Sequence, residues 1–317
     1  MHIVTAEQVE STLSWKQVVE ILGQTMIEVS QRRFLGPLRS MMPVNNNNLM
    51  GIMPGSMENP AIHGIKLISL YPDNPQKGLS SHQGLMVIFD SKTGTPVAGL
   101  EAGSLTALRT PAATVLATNQ LARNDAKVHT ILGGGEQAQR HLEAFLTCGN
   151  ATQIRLWARR PQSAKELLKK ISAPSHVSVI EDIEEAVNGA DIITCVTASP
   201  TAILKGAWLE PGQHINLVGS SVRKYREIDS EGVALLRYFV DYRESTNAQA
   251  GEYLEELEQG NITEDYIVGE IGEILNDDIK GRTDDNQITA YKSLGVAPQD
   301  LSVSWAILQK LGLVPSD

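Results

Sequence analysis

Residues 128–145, VHTILGGGEQAQRHLEAF, pass from an apolar run through three glycines into a helical pattern. Gly133, Gly135 and Ala138 stand at the G-x-G-x-x-A spacing. At such a turn the first glycine permits a tight bend and the second lets backbone approach a pyrophosphate. The small third residue lets the helix pack close to the strand. Glu136 and Gln137 then open a helix whose free amides and partial positive charge suit phosphate. Three glycines can also simply make a turn; the position between a strand and a helix favours dinucleotide binding. About 20 residues on, where an acid would meet an unphosphorylated ribose, the strand ends IRLWARRP. Ala158 occupies the acid's place, followed by Arg159 and Arg160. Two guanidiniums suit a 2′-phosphate, so NADPH is expected, with NADH as the alternative. The same arginines also read as solvated loop residues.

A second set of residues is cationic. Over residues 62–70, period-two alternation puts Lys66 on one face with Ile62, Gly64 and Ile68. A lysine on an apolar face is costly unless paired or functional; on an edge strand it could snorkel. Arg39 lies in the strand-like LRSMMPV and Arg109 in LTALRTPAA. Singly, each reads as a surface charge. Together with Lys66 they form a candidate pocket for a small carboxylate, since arginine binds carboxylates through paired hydrogen bonds. His82, in LSSHQGLM, reads as a satisfied loop histidine more readily than as a proton donor. The seven histidines show no ligand spacing, so no metal site is expected. No G-x-S-x-G elbow supports a hydrolase.

Two kinds of texture must hold these groups. Residues 14–31 read as a helix capped by Ser14, with Trp15, Val18, Val19, Leu22 and Met26 on one stripe. From about 38 to 102, short apolar segments alternate with turn clusters such as NNNN and DNPQKG, predicting meandering strands. Residues 104–122 read as a helix that Pro111 kinks or begins. Then strand-like KVHTIL, QIRLWA, VSVI, DIITCV, HINLV and YFVDY alternate with helical EQAQRHLEAFLTCG, SAKELLKKI, DIEEAVNG and DSEGVALLR. That is the rhythm of parallel βαβ units. Further helices are expected over 245–258, 265–275 and 298–311.

The totals narrow the class. With 317 residues, the chain has room for two domains. A formal net charge of −10 argues against a nucleic-acid partner. The apolar runs are too short for a membrane span, and the N-terminus has no signal-peptide pattern. Two distant cysteines, Cys148 and Cys195, fit a reduced cytoplasmic setting.

Across its whole length the chain resembles the ornithine cyclodeaminase and mu-crystallin family. The pieces that carry the likeness are GIKLISLYPDN, VIFDSKTGTPVAGLEAGSLTALRTPAAT, ILGGGEQAQRHLEA, INLVGSS, VDYRESTNAQAGE and YKSLG. The resemblance implies an α/β fold: a Rossmann-type, doubly wound parallel sheet over 119–292. A discontinuous α+β domain from 1–118 and 293–317 would bind substrate and form a homodimer. By resemblance, Arg39, Lys66 and Arg109 surround the substrate carboxylate. Thr110, the Gly133–Ala138 turn, Arg159, Val218 and Ser293 lie near the cofactor.

Two departures bear on activity within that family. Cyclodeaminases carry an aspartate where VGSSVRKYREID has Ser221, and a glutamate where LMGIMPG has Gly51. Serine holds no charge against an ammonium, and glycine offers no side chain. The expectation is therefore an NAD(P)H-dependent reductase of cyclic imino acids. Δ1-Pyrroline-2-carboxylate would give L-proline, with the six-membered Δ1-piperideine-2-carboxylate as a second substrate. Arg39 and Arg109 would grip the carboxylate. Lys66 would orient it and join the proton relay, and Ser221 would hydrogen-bond near the ring nitrogen. The rivals are an ornithine cyclodeaminase, an alanine-type dehydrogenase, and a crystallin-like binding protein without turnover.

Overall fold

The computed structural model describes residues 1–45 and 47–314; Asn46 of the asparagine run and the last three residues of the expected 293–317 segment lie outside them. The chain divides into two compact units. One is Met1–Thr110 with the stretch that begins at Gly295; the other is Pro111–Leu294.

The first unit opens with β1 (His2–Val4), α1 (Ala6–Thr12) and α2 (Trp15–Ser30). Ser14 caps α2: its hydroxyl accepts from the Gln17 amide, and the Gln17 side chain accepts from the Ser14 amide. This reciprocal box satisfies two donors that the helix leaves free. Val18, Leu22 and Met26 line the buried stripe. Then come β2 (Phe34–Leu35), β3 (Ser40–Pro43), β4 (Leu49–Met57), β5 (Ile62–Leu70), β6 (His82–Asp90) and β7 (Pro96–Glu101). The sheet order is β1-β7-β6-β5-β4-β2, with β3 also on β4. From β4 to β7 it is the expected antiparallel meander. The helix α3 (Ala102–Leu121) follows, and Pro111 lies inside it rather than at its start.

The second unit alternates strands and helices: β8 (Val128–Leu132), α4 (Glu136–Cys148), β9 (Gln153–Trp157), α5 (Pro161–Lys170), β10 (Val177–Val179), α6 (Ile183–Val187), β11 (Ile192–Cys195) and β12 (His214–Leu217). It continues with α7 (Ser230–Ala234), β13 (Leu236–Val240), α8 (Arg243–Gln249), α9 (Gly251–Glu258), β14 (Ile267–Glu270), α10 (Ile271–Leu275) and β15 (Ile288–Lys292). All eight strands are parallel, in the order β10-β9-β8-β11-β12-β15-β13-β14. The chain runs outward from β8 to β10, then returns to lay β11 on the other side of β8. Such a reversal opens a crevice at the carboxyl ends of the strands, where doubly wound folds bind ligands.

The sequence expectation needs correction at four places. Residues 265–275 are not one helix: Ile267–Glu270 pairs with β13, and only Ile271–Leu275 is helical. Residues 245–258 break at Ala250, which is extended between α8 and α9. The helix expected over 229–237 stops at Ala234, because Leu236 and Arg237 already pair with β15. The unit boundary falls at 110/111, not 118/119. The Thr114 hydroxyl lies 3.0 Å from His141 Nε2, and Asn216 donates to Thr118 Oγ1 at 2.9 Å, so the second half of α3 belongs with the parallel sheet. Ser293 and Leu294 stay there too, their amides bonded to Leu217 O and to Asp241 Oδ2.

The chain ends with α11 (Ala297–Lys310), which packs on α2 and against β4, β5 and β6. Leu301, Ile307 and Leu308 are buried, and Thr25 donates to Ser302 Oγ at 2.7 Å. Glycine at 64 permits this approach: a Cβ there would stand 2.4 Å from Val87 O and 3.0 Å from Leu301 Cδ2. No helix among the described residues is long and apolar enough to cross a membrane.

Candidate active site

In the first unit, Lys66 projects from β5 and is only 2% exposed. Its Nζ lies 2.7 Å from Asp300 Oδ2 and 3.4 Å from Thr106 Oγ1. Arg109, on α3, is also buried; its Nε lies 3.2 Å from Asp300 Oδ1 and its Nη1 donates to Gln299 Oε1 at 3.1 Å. One carboxylate on α11 thus holds both cations. A buried charge is tolerable only when paired and hydrogen-bonded, and two cations on one anion leave a positive charge over. Burial lowers the Lys66 pKa, Asp300 raises it, and Arg109 and then Arg39 lower it, leaving it at about 8. Arg39 is half-buried and lies one residue before β3, not within the strand. Its charge is felt at Lys66, so the structure brings all three cations to one region of this unit.

Sequence reasoning missed Asp300, Gln299 and Thr106. A signal existed for Asp300: in PQDLSVSWAIL it sits four residues before the buried Ser304 and seven before Ile307, on the apolar stripe of a helix. His82 opens β6 rather than lying in a loop, with Nδ1 2.9 Å from Ser81 Oγ. Much of its surface is open, yet burial of the ring, with Lys66 and Arg109, holds its pKa down to about 4. Gly51 faces Ile68 across β4 and β5; a Cβ there would stand 2.9 Å from Ile68 Cγ2 and 3.3 Å from Met41 Sδ. Thr110 is buried on α3 next to Arg109.

In the second unit, β8, β9, β12 and β15 end on residues singled out above. Gly133 follows β8 with φ of +156°, and a Cβ on it would stand 2.8 Å from Val196 Cγ2. Gly134 lies under Ala158, where a Cβ would stand 2.6 Å from the alanine's. Gly135 caps α4 without a side-chain hydrogen bond, and none of the described residues comes within 4 Å of where its Cβ would be. Open space over an uncapped helix N-terminus is what a pyrophosphate needs. Glu136 is exposed in the first helical turn, and Gln137 Oε1 is buried without a hydrogen-bond partner among the described residues. Ala138 is fully buried against the β8 side of the sheet. Ala158 is buried too, so the residue that faces solvent at the end of β9 is Arg159, with Arg160 beside it as the N-cap of α5.

Val218 and Ser293 follow directly on the paired ends of β12 and β15. Ser293 Oγ is buried and has no hydrogen-bond partner among the described residues. Ser221 is half-buried three residues beyond Val218. A glycine turn with open space, an uncapped helix and the buried, unpartnered Gln137 Oε1 and Ser293 Oγ fit a dinucleotide.

A model of the ornithine cyclodeaminase/mu-crystallin family matches residues 1–312. The chain belongs to this family. It is 30% identical over 310 residues to the Δ1-pyrroline-2-carboxylate reductase of Bacillus cereus, covering 96% of this chain and 94% of that one. It is 32% identical over 266 residues to mouse ketimine reductase mu-crystallin, covering 84% and 82%. Among solved structures, Δ1-pyrroline-2-carboxylate reductase of Thermococcus litoralis, in complex with NADH and L-proline, superimposes with a TM-score of 0.93 at 32% identity. That match covers 98% of this chain and 97% of the other.

Proposed function

We propose that this chain is an NAD(P)H-dependent reductase of cyclic imino acids, converting Δ1-pyrroline-2-carboxylate to L-proline and accepting the six-membered analogue second. The observation that carries this is the buried Lys66–Asp300–Arg109 cluster. It holds a surplus of positive charge out of water, where a small carboxylate gains most from it. The names of the relatives support the same reading.

Bound NAD(P)H supplies the hydride that adds to the C=N carbon, while the nitrogen gains a proton. The residues of the chain do the rest. Arg39 and Arg109 bind the carboxylate and Lys66 orients it. With a pKa of about 8, Lys66 can also hold or release a proton near neutrality. Ser221 offers a hydroxyl towards the ring nitrogen or a water beside it. The Gly133–Ala138 turn and the α4 N-terminus hold the pyrophosphate, with Thr110, Val218 and Ser293 at the other end of the cofactor. Arg159, with Arg160, favours the 2′-phosphate of NADPH. Gly51 and Ser221 leave no acid to manage an ammonium, which counts against cyclodeamination.

A homodimer is part of this reading. Ile3, Leu35, Leu38, Met42, Val44, Leu79 and Leu85 are exposed large apolar residues of the first unit, and a buried subunit contact would account for them.

The test is oxidation of NADPH, and separately of NADH, with freshly generated Δ1-pyrroline-2-carboxylate, beside wells holding pyruvate with ammonia, and ornithine alone. Rapid oxidation with the imine, faster for NADPH, is the expected result. Ammonia-dependent oxidation with pyruvate, or ammonia release from ornithine, would overturn it. A Lys66→Ala variant with full turnover would remove the lysine's role.

A further inference from the structure

Behind the loop that carries Val218 to Ser221 lies a chain of buried charges that the proposed reaction does not use. Glu227 is fully buried, yet its carboxylate accepts four hydrogen bonds. Oε1 takes the Thr197 amide at 2.8 Å and the Thr197 hydroxyl at 2.9 Å. Oε2 takes the amides of Gly219 at 2.7 Å and Ser220 at 3.1 Å. On the other side of the same loop, Lys292 Nζ donates to the Ser220 carbonyl at 2.6 Å and pairs with Glu252 Oε1 at 2.8 Å. Tyr238 adds a hydroxyl to Glu252 at 3.2 Å. Lys292 and Glu252 are both buried.

The connectivity gives this chain its meaning. Thr197 follows β11, Gly219 and Ser220 follow β12, and Lys292 ends β15; these three strands are neighbours. Glu227 therefore ties the β11 end to the β12 loop, and Lys292 ties that loop to β15. The two N–H groups of the loop meet an anion and its carbonyl meets a cation, so the peptides from Val218 to Ser221 have one orientation. Three of the four donors to Glu227 are backbone amides, which cannot turn round to accept. Burial pushes the Glu227 pKa up, and Lys292 with the Thr197 and Ser220 donors holds it back. A fold needing only packing here would do as well with apolar residues of the same shape.

We propose that Glu227 and Lys292 are positioning residues that lock the Val218–Ser221 loop in the form that receives the nicotinamide end of the cofactor. This rests on the reading of the second unit as a dinucleotide site. It assigns the two ends of the cofactor to different machinery: the glycine turn for the phosphates, the Glu227–Lys292 brace for the nicotinamide.

That division supplies the test. Affinities of the full-length protein for NADPH and for 2′-phospho-ADP-ribose, which lacks the nicotinamide, are measured by quenching of protein fluorescence, with NADH and ADP-ribose as the second pair. Glu227→Gln keeps the shape but turns one oxygen into a donor facing other donors. It is expected to weaken NAD(P)H about tenfold and leave the nicotinamide-free ligand within about twofold of wild type. Lys292→Met is expected to do the same. Equal loss for both ligands, or loss for neither, would overturn the proposal. Wild-type protein that binds neither ligand would overturn the dinucleotide reading itself. If Glu227→Gln gives no folded protein, Thr197→Val removes one donor from Oε1, and a selective loss of about threefold is expected; an unselective change would again count against the brace.

Discussion

Lys66 and Arg109 are held where water cannot solvate them, and Asp300 is what makes that tolerable. Replacing Asp300 by asparagine leaves two buried cations against each other. Breaking a buried ion pair from one side costs about 3–5 kcal/mol, so the urea midpoint of Asp300→Asn should fall by that equivalent. An unchanged midpoint would mean that the pairing contributes little. The pKa of Lys66 gives a second handle. Its charged form is the low-pH form, with a pKa of about 8 in the free protein. If that charge draws in the carboxylate, kcat/KM for the imino acid stays level below about pH 8 and falls about tenfold per unit above it. In Lys66→Arg the alkaline limb set by this residue moves out of range, because guanidinium does not titrate there. The ionisation of the substrate is common to both proteins, so coincident profiles would rule out Lys66 as the titrating group.

At the level of elements, the glycine turn is the part of the candidate site most legible in the sequence, because its signal is local. Strand, glycines and helix start are contiguous, and each glycine meets a different constraint in the structure. Gly135 is the informative one for function: its φ of −103° suits any residue and no atom crowds its missing Cβ. Gly135→Leu should therefore fold with a stability within about 0.5 kcal/mol of wild type, while NAD(P)H affinity, read by fluorescence titration, drops about tenfold or more. A variant that binds as wild type would remove the turn from the cofactor site. The meander and the capped helix α2 were legible for the same local reason: alternation, turn residues and Ser14 with Gln17 lie within a few positions. Asp300 was not, because its partners are 234 and 191 residues away, and an acid in a first helical turn has an ordinary local explanation. The strand Ile267–Glu270 was missed for a related reason. YIVGEIGEIL carries a helical pattern in its second half, and only pairing with β13 draws the first half into the sheet. The division of α3 at Thr110 follows from hydrogen bonds at Thr114 and Thr118 that no periodicity in the helix reveals.

At the scale of the folded chain, the parallel sheet carries a polar seam that makes stability depend on pH. His129, His141 and His214 are fully buried in the second unit. His129 Nε2 lies 2.8 Å from Thr194 Oγ1, His141 donates from Nδ1 to Gln137 O at 2.7 Å, and His214 Nε2 donates to Asn216 at 3.1 Å. Burial dominates all three and lowers their pKa values, to about 3 for His129 and His214 and about 4 for His141. In the unfolded chain each titrates near 6.5. Between those values the unfolded state binds protons that the native state refuses, so stability falls as pH drops below about 6.5 and is unaffected by these groups above it. From pH 6.5 to 5 each histidine removes about 2 kcal/mol, a large share of the total for any domain. The protein should therefore lose its cooperative melt well above the pH at which carboxylates titrate. His141→Gln keeps a donor and an acceptor on α4 beside Thr114 but does not titrate, so its unfolding free energy should fall less steeply between pH 7 and 5 than that of wild type. Parallel slopes for the two proteins in urea titrations at those pH values would show that His141 takes up its proton without unfolding the sheet around it.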